Sequence, residues 1–207
     1  MYKIVLKMNT LIFGKGRSKI LECFYKNKNK EIYFSEILRQ TGLTQNTTLM
    51  HLKLLEENNL ILSIRKIGNT FYRINTKNPQ IYSILSYFDY KRLNELPFSR
   101  RKAIIDFLEK IKSKPLIALV FGSTAKGTFE SKSDIDIYLI YNKREAKDNK
   151  LINEVEALTG TKIQTFISSY ENFKEQILKQ EDKVLIHAIK TGFIVSGFDI
   201  FYKEVLQ

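Results

Sequence analysis

The chain has 207 residues, a length that fits two small domains, each with its own core. Its single cysteine, Cys23, excludes an intrachain disulfide and a cysteine cluster for zinc, and no apolar run approaches the about 20 residues of a membrane span. We therefore expect a cytoplasmic protein that does not enter the membrane.

The formal net charge of +12 is unevenly distributed along the chain. Residues 1–78 hold fourteen Lys and Arg against five Asp and Glu, whereas residues 79–207 hold twenty against seventeen. A concentrated positive field suits a polyanion such as DNA, RNA or an acidic membrane surface. Lysines that serve only solubility are the alternative interpretation.

The N-terminal part predicts a series of short helices followed by a hairpin. An alternating segment at residues 2–6 predicts a short strand, and the first helix carries Ile20, Leu21 and Phe24 on one face. This spacing is typical of a helix that buries one side.

Two further helices are marked by their caps. Ser35 is expected to cap the second helix, Gly42 to end it, and Thr44 to cap a third helix over residues 44–58. Three residues of the third helix are expected to form one buried stripe: Thr48, Leu52 and Leu55. A hairpin with its turn at Gly68-Asn69 follows.

This order resembles a winged helix-turn-helix domain of the ArsR or MarR type, with residues 47–61 similar to the recognition helix. The resemblance implies binding to duplex DNA, with the third helix in the major groove and the hairpin, or wing, against the backbone. By helical phase, four residues of that helix face the groove: Asn46, Thr47, Met50 and Lys53. The wing contributes Arg65 and Lys66. Reuse of the fold for protein contact or dimerisation is the alternative.

The break between the domains is placed at Asn78-Pro79. We predict an α+β protein of two domains: a winged helix-turn-helix domain over 1–78, a connector helix over 79–96 that could serve as a dimer contact, and a domain with a mixed β-sheet flanked by helices over 97–207.

The most informative segment lies in the second domain. An apolar strand ends at Phe121 and is followed by Gly122-Ser123, and a second strand begins near Asp134. Because strand side chains alternate, Asp134 and Asp136 point to the same side. Paired carboxylates suit Mg²⁺, which takes the rest of its ligands from water and phosphate.

The segment resembles the minimal nucleotidyltransferases of the DNA polymerase beta superfamily. The resemblance implies that Gly122 and Ser123 bind a nucleoside triphosphate, with Lys126 adding charge beside it, and that Asp134 and Asp136 are the catalytic carboxylates that hold Mg²⁺ or Mn²⁺. ATP is the expected nucleotide. Lys126 stands where the family commonly has arginine, which keeps the charge and loses the planar grip on phosphate.

The family also uses a third carboxylate, on a later strand, as a metal ligand and proton acceptor. Here that strand is predicted over residues 162–167, and the residue in the equivalent place is Gln164. An amide cannot act as a base, and base help is typically worth about 10² to 10⁴ in rate. Glu154 and Glu156 precede the strand on a predicted helix and are poor substitutes.

Two functions follow. The first is an enzyme that transfers a nucleoside monophosphate from NTP to an acceptor hydroxyl, possible acceptors including a partner protein, as in antitoxin-like adenylylation. The second is a transcription regulator whose degenerate nucleotidyltransferase domain only binds nucleotide. Gln164 is the residue that discriminates between them.

Overall fold

The structure is a computed structural model that describes residues 14–143 and 145–206. The predicted strand at residues 2–6 lies outside this part of the chain. Contacts divide the chain into two compact units, and the division falls inside one helix. The first unit ends at Phe88 and the second runs from Asp89 to Val205, with Leu206 grouped with the first. The α+β class is confirmed. None of the described helices is both long and apolar enough to cross a bilayer.

The first unit contains short helices and a small antiparallel sheet. Its elements are α1 (Lys15–Lys26), β1 (Ile32–Tyr33), α2 (Phe34–Thr41), α3 (Gln45–Glu57), β2 (Ile61–Lys66), β3 (Asn69–Ile74) and the first part of α4 (Gln80–Glu95). The strand order is β1-β3-β2. The three helices pack on one another through buried side chains that include Ile20, Leu21, Phe24, Ile37, Leu52 and Leu55.

Two of the three predicted caps of α2 and α3 are confirmed. Gly42 adopts a left-handed φ of 64° after α2, and Thr44 accepts a hydrogen bond from Thr47 N at the start of α3, as predicted. Ser35 was expected to cap α2, and this is wrong. β1 ends at Tyr33 and the helix begins at once at Phe34, so that Ser35 lies inside the first turn.

The hairpin turn lies one residue earlier than predicted. Lys66 pairs with Asn69, so the two turn residues are Ile67 and Gly68, with φ of 44° and 77°. A β-branched residue rarely adopts positive φ, which is why the sequence favoured Gly68-Asn69. The cross-strand pairing of Ile64 with Phe71 fixes the register and places Asn69 in the strand.

The second unit is a four-stranded mixed sheet covered by helices. Its elements are α5 (Phe98–Lys110), β4 (Ile117–Phe121), α6 (Gly122–Lys126), β5 (Ile135–Tyr141), α7 (Asn149–Thr159), β6 (Ile163–Ser169), α8 (Tyr170–Lys179), α9 (Lys183–Thr191), β7 (Phe193–Ser196) and α10 (Phe198–Val205). The order is β6-β5-β4-β7, with β5 and β6 parallel and the other pairs antiparallel.

The two faces of this sheet differ in character. On the core face, Val120, Ile137 and Leu139 pack against α5 and α7 in the main hydrophobic cluster. The intervening residues of β4, β5 and β6, which include Asp136, point to the opposite face because strand side chains alternate. We call that opposite face the acidic face.

Candidate functional site

Three strands bring a phenylalanine, a carboxylate and an amide into one row across the sheet. Asp136 is the Cα partner of Phe121 on β4 and of Gln164 on β6. Partners in neighbouring strands point to the same face. Gln164 is exposed, and it lies beside Asp136 in the register that the sequence predicted.

A second row lies at the start of the two parallel strands. Asp134 immediately precedes β5 and shares the acidic face with Asp136, two residues along the chain. Lys162 immediately precedes β6, and its Nζ lies 3.7 Å from Asp134 Oδ2. The two aspartates therefore meet the amide of Gln164 on β6 and the ammonium group of Lys162 just before it, and neither row contains a third carboxylate.

The backbone at Gly122 lies directly against the Asp136 carboxylate. Gly122 has φ of 66°, a left-handed value that favours glycine, and it opens the short helix α6 at the end of β4. A Cβ placed there would stand 2.0 Å from Asp136 Oδ2. The Gly-Ser turn and the aspartate pair therefore form one site.

Burial and a like charge act on the same carboxyl. Burial raises the pKa of Asp136 above its ordinary value, and the negative charge of Asp134 raises it further. The aromatic rings of Phe121, Tyr138 and Phe166 lie together, with the Phe121 and Phe166 centroids 5.3 Å apart, and the strand register places them on the same face as Asp136. A cation between the two carboxylates would offset their mutual repulsion.

A buried arginine braces the loop between the Gly-Ser turn and the aspartates. The Arg100 guanidinium on α5 donates to Thr124 Oγ1 at 2.9 Å, to the Ser133 carbonyl at 2.7 Å and to the Glu130 carbonyl at 3.0 Å. Its charge also lies 4.2 Å from the Phe129 ring centre. Arg100 therefore fixes the chain that leads into Asp134.

Lys126 lies at the other end of α6 from Gly122, and its side chain is exposed. It lines a cavity of about 430 Å³ together with Arg92, Leu96 and Phe129 among others. Its predicted contact with a triphosphate stays a prediction.

The donor atoms of the site suit a hard divalent cation. Asp134 and Asp136 offer carboxylate oxygens, and Gln164 offers an amide oxygen. Gly122 has no side chain, so its backbone can lie directly beside Asp136. Among the described residues, no group of three or more His, Cys, Asp or Glu gathers into a metal-binding cluster. The residues thus fit Mg²⁺ if the nucleotide completes its shell.

Glu154 does not take the place of a third carboxylate. Its Oε1 lies 2.6 Å from Lys110 Nζ, and its helix α7 packs on the core face, away from Asp136. Glu156 lies on the same helix.

The predicted DNA-contacting residues of α3 differ in exposure. Asn46, Met50 and Lys53 are exposed, Met50 by 59%, whereas Thr47 is half-buried and its hydroxyl accepts a hydrogen bond from Thr44 at 2.9 Å. Leu49, which the sequence analysis did not select, is also exposed on this helix.

The two hairpin residues predicted to contact DNA, Arg65 and Lys66, also differ. Arg65 is exposed. Lys66 Nζ lies 2.6 Å from Glu31 Oε2 and 5.5 Å from the Phe71 ring centre. The charge of Lys66 is therefore partly neutralised within the protein.

Sequence reasoning missed Arg100 and Lys162. Arg100 occupies the apolar stripe of α5 with Ala103, Ile104 and Phe107, at the i, i+3, i+4, i+7 spacing of a buried face. Lys162 lies two residues before Gln164 and therefore on the same strand face. Both patterns were visible in the sequence.

Comparison with known families agrees with this geometry. Residues 102–190 match the family model described as "Polymerase beta, Nucleotidyltransferase". The match includes α6, β5 and β6 and supports a nucleotidyltransferase domain in this part of the chain. A comparison with curated proteins finds none that matches.

Proposed function

We propose that the second unit binds a nucleoside triphosphate, ATP being the expected one, together with Mg²⁺, and transfers its nucleoside monophosphate to an acceptor hydroxyl. The observation that carries this proposal is the contact of Gly122 with Asp136, which brings the Gly-Ser turn against the pair of carboxylates. The family match to residues 102–190 supports it.

The residues have separate roles in this proposal. Asp134 and Asp136 would hold the cation, and the backbone N–H groups of Gly122 and Ser123 would bind the phosphates. The cation, when bound, supplies charge that stabilises the departing pyrophosphate. The acceptor oxygen bonds to the α-phosphorus as the bond to the β-phosphate oxygen breaks, and the hydroxyl proton passes to solvent.

Gln164 limits the rate in this scheme. Its amide can hydrogen-bond the acceptor hydroxyl and orient it, but it cannot accept the proton. We expect slow transfer for that reason. A partner protein is one acceptor of the right chemistry.

A second candidate function is nucleotide binding without transfer, in a transcription regulator. The observation that favours it is the same Gln164, because an amide stands beside Asp136 where a base would act. The two candidates share a ligand and differ in turnover.

Transfer can be tested with ATP labelled at the α-phosphate, Mg²⁺, and the protein alone or with cell lysate as the source of acceptor. We expect labelled product above the level of the Asp134→Asn/Asp136→Asn variant, and a rate that rises about 10²-fold in Gln164→Asp. If the wild type and Gln164→Asp both bind nucleotide and neither transfers label, the regulator is favoured. Absence of nucleotide binding would reject both functions.

We further propose that the first unit is a winged helix that binds duplex DNA. Supporting this are the order of α1, β1, α2, α3 and the β2-β3 hairpin, the exposure of Asn46, Met50 and Lys53, and the fourteen basic residues of this part of the chain. Dimerisation through the first unit or α4 is compatible with this proposal.

DNA binding can be tested by its dependence on salt, since phosphate contacts release counterions. Arg65→Ala should weaken binding and lower the salt slope by about one. Lys66→Ala should do less, because Glu31 already neutralises that lysine. Lys77→Ala, an exposed change outside the hairpin, serves as the control. Binding that does not depend on salt would count against DNA as the partner.

A further inference from the structure

The strand β6 gives the acidic pair one neutral and one positive neighbour. Gln164 is the Cα partner of Asp136, and Lys162 Nζ lies 3.7 Å from Asp134 Oδ2. Gln164 lies on β6 and Lys162 lies two positions earlier, just before the strand, so the alternation of extended backbone places both on the acidic face. Neither residue adds a negative charge to the site.

The number of cations that a site holds depends on the negative charge of its ligands. Two metal ions in one catalytic site stand about 3.5–4 Å apart, and their repulsion must be offset by anionic groups. Here the described residues offer two carboxylates, one of which already faces an ammonium group. A second divalent ion beside Asp134 would lie close to Lys162 as well.

We propose that this site takes one divalent cation with its nucleotide, and that Lys162 supplies the second positive charge by binding the phosphates. The inference rests on the proposed function. The Lys162 side chain is 59% exposed, so it is free to turn from Asp134 to a bound triphosphate. A lysine ammonium is a compact charge on a flexible stem, which suits that movement.

The cation count can be measured with Mn²⁺ and a non-hydrolysable ATP analogue by electron paramagnetic resonance. The protein is kept in excess over the analogue, so that free nucleotide does not carry metal. We expect one Mn²⁺ per bound analogue in the wild type and two in Gln164→Asp, which restores a carboxylate beside Asp136.

The role of Lys162 is measured by a titration with the same Mn²⁺ and analogue, at concentrations near the dissociation constant. Lys162→Met should weaken analogue binding about tenfold, the size expected for one charged contact. Lys203→Met, an exposed lysine on α10, which packs against β4 and β7, should leave the affinity unchanged. Melting temperatures of the variants show that each is folded.

Two Mn²⁺ ions of similar affinity in the wild type would overturn the inference. So would an unchanged analogue affinity in Lys162→Met. Failure of the analogue to bind at any Mn²⁺ concentration would instead reject the proposed function itself.

Discussion

At Gly122, backbone conformation and packing both require glycine. Its positive φ disfavours any side chain, and the Asp136 carboxylate occupies the place of a Cβ. Gly127, at the end of α6, has a similar φ of 70° and nothing within 4 Å of its Cβ position. Comparing alanine substitutions at the two glycines therefore separates the effect of backbone strain from that of contact with Asp136.

Gly122→Ala should abolish Mn²⁺-dependent nucleotide binding, because Asp136 must move away. Gly127→Ala should keep that binding. Both variants should lose stability by about 1–2 kcal/mol from the left-handed backbone, and Gly122→Ala should lose more. Calorimetric titration with thermal melting measures both effects. Equal nucleotide affinity in the two variants would show that Asp136 does not depend on Gly122.

The titration of Cys23 tests whether its thiol is buried in the core of the first unit. Burial raises the pKa of the Cys23 thiol to about 11, and the negative charge of Glu36 contributes. The thiol also donates to Gln40 Oε1 at 3.2 Å. Because folding favours the neutral thiol, this contribution to stability is present at neutral pH and is lost as the pH rises from about 9 toward 11.

At pH 8 we expect alkylation of Cys23 by iodoacetamide to be about 100-fold slower in the folded protein than in urea, since far less thiolate is present. The chain has only this cysteine, so mass spectrometry reports it without ambiguity. A native rate within a few-fold of the unfolded rate would mean that the thiol is exposed.

The element that positions the site is α5, through Arg100. Its three hydrogen bonds join α5 to α6 and to the loop that ends at Asp134. Burial lowers the pKa of the Arg100 guanidinium, and the charge of Asp134 acts in the opposite direction. A lysine would keep the charge and lose the fork that reaches three acceptors.

Arg100→Lys should therefore lower the free energy of unfolding by about 2 kcal/mol or more. The neighbouring Arg101 donates to the Asn94 carbonyl at 3.0 Å near the surface, and Arg101→Lys should cost about 0.5 kcal/mol or less. Urea unfolding at one pH measures both. Similar losses in the two variants would remove Arg100 as the brace of the loop.

Local patterns in the sequence were enough to predict the strands β4, β5 and β6 of the second unit. The family resemblance placed Gln164 on a later strand beside the aspartates, and the register of Asp136 with Gln164 confirmed that place. The turn at Ile67 could not be predicted, since cross-strand pairing there overrides the preference of a β-branched residue. Nor could the strand order β6-β5-β4-β7, which depends on contacts far apart in the chain.

For the whole molecule, the division of charge parallels the division into units. Residues 79–88 carry no charged side chain, so the first unit keeps the fourteen basic and five acidic residues of residues 1–78. The second unit is close to neutral and carries the paired carboxylates Asp134 and Asp136. This distribution fits one unit that binds a polyanion and another that binds a metal-nucleotide complex.

The central claim is that the nucleotide and its metal meet at Gly122, Ser123, Asp134 and Asp136. A crystal structure of the full chain with Mn²⁺ and a non-hydrolysable ATP analogue tests it most directly. We predict anomalous density for Mn²⁺ between the two carboxylates, with the triphosphate against the Gly-Ser turn. An analogue bound elsewhere, as in the cavity lined by Lys126, with no metal on the aspartates, would contradict it.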